Sequence, residues 1–129
     1  NNRSQIIEKG SNKIILDAYN ANPSSMEAAL ENFSALTDNN KIDILGDMFE
    51  LGEVAKEEHQ RIADLAIKLN LNVVYLLGDN FYQVNKNMVN RFQTFEDFKN
   101  FLSDQTIENA TILIKASRGM ALERIVDLL

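Results

Sequence analysis

The chain has 129 residues, 45% hydrophobic and 25% charged, which is the composition of one globular domain. Thirteen Lys and Arg against nineteen Asp and Glu give a net charge of −6, which argues against a basic face for nucleic acid or for an anionic membrane. The lack of cysteine excludes disulfides, thiolate metal sites and thiol nucleophiles, one histidine excludes a multi-histidine centre, and no apolar run approaches the roughly 18–20 residues of a membrane span.

Residues 1–12 are polar and close on Gly10-Ser11-Asn12, so they read as an entry segment or a small hairpin, with the main domain over 13–129. Ile14-Ile15-Leu16 is a β-branched run ending in Asp17-Ala18-Tyr19-Asn20. Asn22-Pro23 predicts an N-cap and first-turn proline, and Met26, Ala29, Leu30, Phe33 and Leu36 then recur at helical spacing. Asp38-Asn39-Asn40 is a turn before a strand of Ile42, Ile44 and Leu45, stopped by Gly46. A loop to Gly52 leads into a helix from Val54 to about Leu69, with Ile62, Leu65, Ala66 and Leu69 on one side. Val73–Leu77 is a buried strand stopped by Gly78-Asp79. Residues 80–90 predict a short helical piece, then a weak strand near Arg91-Phe92. Thr94 with Asp97 starts a helix whose packing face is Phe95, Phe98, Phe101 and Leu102. Thr111–Ile114 is another buried strand, Lys115–Gly119 a loop, and Leu122, Ile125, Val126 and Leu129 lie on a last helix.

Strands and helices therefore alternate, and the strands are continuous apolar runs. Both facts predict a single α/β domain with a mainly parallel sheet covered by helices on both faces. With no signal peptide in view, a soluble cytoplasmic domain is expected.

In such a sheet ligands bind outside the carboxyl ends of the strands. Those ends carry Asp17 to Asn22, Asp47 to Gly52, Asp79-Asn80 and Lys115 to Gly119. Capping explains Asn22 alone, but recognition of a base or ribose competes as an explanation of Tyr19, Asn20 and Asn22 together. Lys115-Ala116-Ser117-Arg118 places two cations before a helix start, a pattern suited to a carboxylate or phosphate. Glu53, Glu57 and Glu58 suit a helix N-terminus, whereas Asp47 and Glu50 in the preceding loop are not explained that way. His59 reads as packed or capping rather than catalytic. The five glycines form neither G-x-x-x-x-G-K-[ST] nor G-x-G-x-x-G, so the chain supplies only part of any nucleotide site. A receiver-like phospho-accepting domain using Asp17, Asp79 and Lys115 is one alternative, although its first strand ends in one acid rather than a pair. A stand-alone small-ligand module is another, and one domain of a larger nucleotide-dependent enzyme a third.

Three segments carry a resemblance. They are Asp17-Ala18-Tyr19-Asn20-Ala21-Asn22-Pro23-Ser24-Ser25-Met26, Leu45-Gly46-Asp47-Met48-Phe49-Glu50-Leu51-Gly52-Glu53 followed by His59, and Lys115-Ala116-Ser117-Arg118-Gly119-Met120-Ala121-Leu122-Glu123. Their order and spacing resemble the C-terminal domain of the Mur ligases, in the branch that adds D-alanyl-D-alanine to UDP-N-acetylmuramoyl-tripeptide during peptidoglycan synthesis. Arg3-Ser4-Gln5 resembles the segment where that domain begins. The family usually has Asp where Ser24 stands and Gly where Ala116 stands.

The resemblance implies a Rossmann-like domain that closes over a central ATPase domain of its own chain. That central domain would hold the phosphate loop and most contacts to ATP and Mg²⁺, and another would hold the UDP-sugar peptide. It also implies that Arg3, Asp17, Tyr19, Asn20 and Asn22 border ATP. Lys115, Ser117 and Arg118 would hold the carboxylate of D-alanyl-D-alanine, with Asp79 and Asn80 beside the same pocket. Asp47 and Glu50 would order their loop or contact the central domain. No catalytic residue and no metal ligand is expected within this domain.

Overall fold

The structure is a computed structural model and describes residues 4–70, 72–85 and 90–129. Six strands form one sheet in the order β1-β2-β6-β3-β4-β5. They are β1 (Gln5–Lys9), β2 (Asn12–Asp17), β3 (Lys41–Gly46), β4 (Val73–Leu77), β5 (Arg91–Phe92) and β6 (Thr111–Lys115). The opening segment joins the main sheet: β1 pairs antiparallel with β2 across the expected boundary at residue 12, and every other pairing among the described residues is parallel. The register sets Leu16 beside Ile114, Ile114 beside Ile44 and Ile44 beside Tyr75, so one apolar row crosses four strands.

Side chains alternate across the sheet and divide the core in two. On one face, helices α1 (Pro23–Ser34), α2 (Ala55–Leu69) and α3 (Asp79–Tyr82) bury Met26, Leu30, Phe33, Ile62, Ala66 and Phe81 against Leu45, Leu76 and Leu113. On the other, α4 (Phe95–Ser103) and the C-terminal segment bury Phe98, Leu102, Leu122 and Ile125 against Ile14, Ile42, Ile44 and Ile112. Tyr75, Phe92, Phe98 and Phe101 form an aromatic group on that face, with Tyr75 and Phe101 ring centres 5.4 Å apart. Among the described residues no helix is long and apolar enough to cross a membrane.

The helix starts follow their capping residues. Asn22 Oδ1 accepts the Ser25 N–H at 2.8 Å and Ser25 Oγ accepts the Asn22 N–H at 3.0 Å, a reciprocal box ahead of Pro23. Thr94 Oγ1 accepts the Asp97 N–H at 3.0 Å. The C-terminus of α1 is closed from outside the helix, by Lys41 Nζ donating to the carbonyls of Phe33, Ser34 and Leu36.

The last segment departs from expectation. It is not an α-helix but two 3₁₀ turns, Arg118–Met120 and Leu122–Leu128, separated by Ala121 in the left-handed region at φ 52°. Three residues per turn bring Leu122, Ile125 and Leu128 to one face; Leu122 and Ile125 are buried, and Val126, Leu128 and Leu129 pack partly buried against the same core.

Asp43 is the one acid in the middle of a central strand. It is buried on the α1–α2 face, and its Oδ1 has no hydrogen-bond partner. Burial pushes its carboxyl up to about 7, while Asn70 and Lys41 pull in the other direction. The folded state therefore binds this proton more tightly than the unfolded chain. Asp43 has no ionisation cost below about pH 4, a growing cost as pH rises from about 4 to 7, and the full cost above that. Asp43→Asn is expected to gain stability relative to the parent as pH rises, by at most about 4 kcal/mol at pH 8. Urea unfolding at pH 4 and pH 8 measures this, and a pH-independent difference would contradict it.

Candidate functional site

The carboxyl ends of β2, β6, β3 and β4 form one edge, and hydrogen bonds lace its loops together. Lys115 ends β6 beside Asp17 of β2 in the parallel register. Its side chain is only 3% exposed, and Nζ donates to Asp17 Oδ2 and to the Asn20 carbonyl, each at 2.9 Å. Ser117 Oγ accepts the Phe49 N–H at 2.8 Å and donates to the Ala21 carbonyl at 3.4 Å. The Ser117 N–H donates to the Asp47 carbonyl at 3.0 Å. Lys115 and Ser117 thus face inward. Arg118, the third member of the expected anion site, is exposed and lies over the Tyr19 ring at 5.3 Å.

A second knot joins β3 to β4. Asp47 is buried, and its carboxylate accepts the N–H groups of Asn80 and Phe81 at 2.9 Å each and the Asn80 side-chain amide at 3.1 Å. It caps α3 from another strand, because Gly78, at the capping position, has no side chain. A Cβ on Gly78 would stand 2.4 Å from Asp47 Cγ, and its φ is +118°. His59 Nε2 accepts the Met48 N–H at 3.0 Å, and Nδ1 lies 2.6 Å from the Ala55 carbonyl, which puts the ring proton on Nδ1. The histidine is packed, as its sequence context suggested, and holds the 46–52 loop. That loop contains Glu50 at φ 64°, exposed to solvent.

Ala116 fits this edge because Gly46 lies opposite. A Cβ at 46 would stand 2.7 Å from the Ala116 methyl and 2.8 Å from Leu122 Cδ1. Ala116 is not among the described residues with positive φ.

The expected site residues divide between places. Asp17 helps line a cleft of about 220 Å³ on the α1 face, with Ser4, Ile15 and Asn32. Tyr19 and Arg118 line another, of about 310 Å³, with Gln5, Leu16, Ala18 and Glu123. Asn22 spends its side-chain oxygen on capping, and Asn20 offers its carbonyl to Lys115. Asp79 and Asn80 follow β4, three strands along from β2, or about 14 Å at ordinary strand spacing. Asn80 is engaged by Asp47, and Asp79 accepts from Gln93 at 3.2 Å. The trio of the receiver-like reading, Asp17, Asp79 and Lys115, therefore does not converge. Arg3 lies outside the described residues. Sequence reasoning gave no role to Gln5 or Glu123, although Glu123 closes the third quoted segment. Among the described residues no three His, Asp or Glu side chains converge on a point that could hold a metal ion.

The model of the family described as Mur ligase, glutamate ligase domain matches residues 2–118. The chain belongs to the Mur ligase family. A UDP-N-acetylmuramoyl-tripeptide–D-alanyl-D-alanine ligase of Rickettsia prowazekii is 34% identical over 97% of this chain and 29% of its own length. The ligase of the same name from Treponema pallidum is 36% identical over 89% of this chain and 27% of its own. The chain thus spans under a third of these Mur ligases. The fold agrees. MurF ligase from Thermotoga maritima in complex with ADP superposes with a TM-score of 0.77 at 26% identity, over 98% of this chain and 30% of that one. One MurF structure from Acinetobacter baumannii gives 0.80 at 28%, again over 98% of this chain and 30% of the other. These Mur ligase neighbours carry the same α/β arrangement, with a largely parallel six-stranded sheet between helices.

The Asp47 knot yields a thermodynamic test. Asp47→Ala strips three donors of their acceptor and is expected to cost roughly 2–4 kcal/mol. Gly78→Ala is expected to cost a similar amount, through its positive φ and the overlap with the carboxylate. Combining them removes the overlap, so the double variant should lose less than the sum. Additive losses in urea unfolding would contradict the knot.

Proposed function

We propose that the chain is the closing domain of a cytoplasmic ATP-dependent amide ligase that joins D-alanyl-D-alanine to UDP-N-acetylmuramoyl-tripeptide. The names of the relatives support the reaction class, and the ADP in the Thermotoga neighbour supports the nucleotide. The observation that carries this chain's part is the side-chain arrangement at the edge: Lys115 is buried against Asp17, while Arg118 stands exposed over Tyr19. Arg118 is the cation available to an incoming carboxylate.

In this reading the rest of the enzyme holds UDP-N-acetylmuramoyl-tripeptide, and its central domain holds ATP with Mg²⁺ on a phosphate loop that this chain lacks. Phosphoryl transfer to the peptide carboxylate gives an acyl phosphate. The dipeptide amine attacks its carbonyl carbon, and the tetrahedral intermediate expels phosphate. This domain's task is placement, since bringing amine and acyl phosphate together can supply several kcal/mol of the acceleration. Arg118 binds the dipeptide carboxylate, and Lys115 and Ser117 fix the loop that presents it. Tyr19, Asn20 and Asn22 border the nucleotide, with Arg3 and Asp17 alongside. Asp79 and Asn80 stand at the far end of the same edge. Phe49 and Glu50, exposed on the 46–52 loop, face the central domain.

Two outcomes test the proposal. The isolated domain should turn over no ATP, and turnover measured as released phosphate would contradict a half-site. In the parent enzyme Arg118→Ala should raise the KM for D-alanyl-D-alanine by about 10-fold or more, as expected for losing a charge-assisted hydrogen bond. The KM for ATP should stay within about twofold.

A further inference from the structure

The cleft beside Tyr19 holds two opposite charges that do not meet. Arg118 and Glu123 both line it and both are exposed, yet they form no ion pair with each other. Glu123 has no hydrogen-bond or ion-pair partner among the described residues. Its neighbour Arg124 does not neutralise it. That guanidinium stacks 3.8 Å from the Phe95 ring centre and donates to the carbonyls of Met120 and Ala121.

The backbone accounts for the placement. Ala121, at φ 52°, turns the chain between the two 3₁₀ segments. Leu122 then enters the core and Glu123 lines the cleft. Leu16 and Ala18 supply an apolar wall, Tyr19 an aromatic one, and Gln5 a neutral amide. About 310 Å³ is the lower end of small-molecule pockets. An unpaired cation and an unpaired anion lining one such space complement a small zwitterion, which carries one charge of each sign.

We propose that Glu123 receives the ammonium group of the incoming dipeptide whose carboxylate Arg118 holds, so that the cleft selects a free amino terminus; the nitrogen gives up a proton, for which the Glu123 carboxylate is the adjacent acceptor, before its lone pair attacks the acyl phosphate. This rests on the reading above for the identity of the dipeptide. It adds a second anchor, which fixes the direction in which the ligand lies. Gln5 lies in the same cleft and offers an amide to the peptide group between the two ends.

The test uses the parent ligase with Glu123→Gln, which keeps the side-chain shape and removes the charge. The KM for D-alanyl-D-alanine should rise about 10-fold or more, while those for ATP and the UDP-tripeptide stay within about twofold. D-lactyl-D-alanine, with a hydroxyl in place of the amine, serves as the competing ligand. The parent should prefer the dipeptide to this analogue strongly, and Glu123→Gln should remove most of that preference. The dipeptide carboxamide should remain disfavoured in Glu123→Gln but not in Arg118→Ala. Glu123→Asp should recover part of the preference for the amine. An unchanged dipeptide KM in Glu123→Gln overturns the inference, as does an equal rise in all three KM values, which would mark a domain contact. A parent enzyme that makes no product from D-alanyl-D-alanine overturns the underlying reading instead.

Discussion

The ammonium of Lys115 is the contact on which the edge at the carboxyl ends of the strands depends. It sits at the end of the central strand β6, nearly dry, between the carboxylate of Asp17 and the carbonyl of Asn20. An ammonium removed from water is costly unless its hydrogen bonds are met and an opposite charge is close. Both conditions hold, and meeting them fixes the backbone from Asp17 to Asn20. Ala18 within that stretch and Ala21 just beyond it pack inward, and Tyr19 between them is turned out. Arg118 then finds an aromatic face at 5.3 Å. Removing the ammonium alone would leave a largely buried carboxylate unpaired and free the loop that carries Tyr19.

The neighbouring loops are held by the same kind of contact, a polar group turned inward. Ser117 joins the loops after β2, β3 and β6, Asp47 joins β3 to α3, and His59 joins the 46–52 loop to α2. A half-site on loops gains precision when supporting hydrogen bonds fix those loops on rigid strands. Here the polar residues divide the work: the buried ones shape the edge, and Tyr19, Arg118 and Glu123 remain exposed beside it.

The fold was legible wherever local signals and packing agree. Asn22-Pro23 and Thr94-Asp97 start helices as read, and the β-branched runs at 14–16, 73–77 and 111–114 are strands. The C-terminal segment was not legible, because Leu122, Ile125, Val126 and Leu129 satisfy a period of three about as well as one of 3.6. β1 was ambiguous because an edge strand needs little apolar surface, and Ile6 is largely exposed. At the site, the edge and the residue types were readable, but the direction of each side chain was not. Lys115 and Asn20 are 95 residues apart, and Asp47 caps a helix that starts 32 residues later. No local pattern announces such pairings, so Lys115 and Arg118 look equivalent in the sequence and are not in the fold. Asp43 lies inside the run read as a strand, but nothing local announces that its carboxyl is buried.

The division of the core by the sheet has a mechanical consequence. β3, β4 and β6 are packed on both faces, so neither helical layer can shear across them without opening voids in close-packed side chains. Such a body transmits displacement with little internal strain. If it swings onto another domain, the spacing between its charged groups travels unchanged, as on a stamp pressed against paper. Capture then depends on the angle of approach, and stiffness makes a small rotation at a distant pivot sufficient to align the whole edge at once.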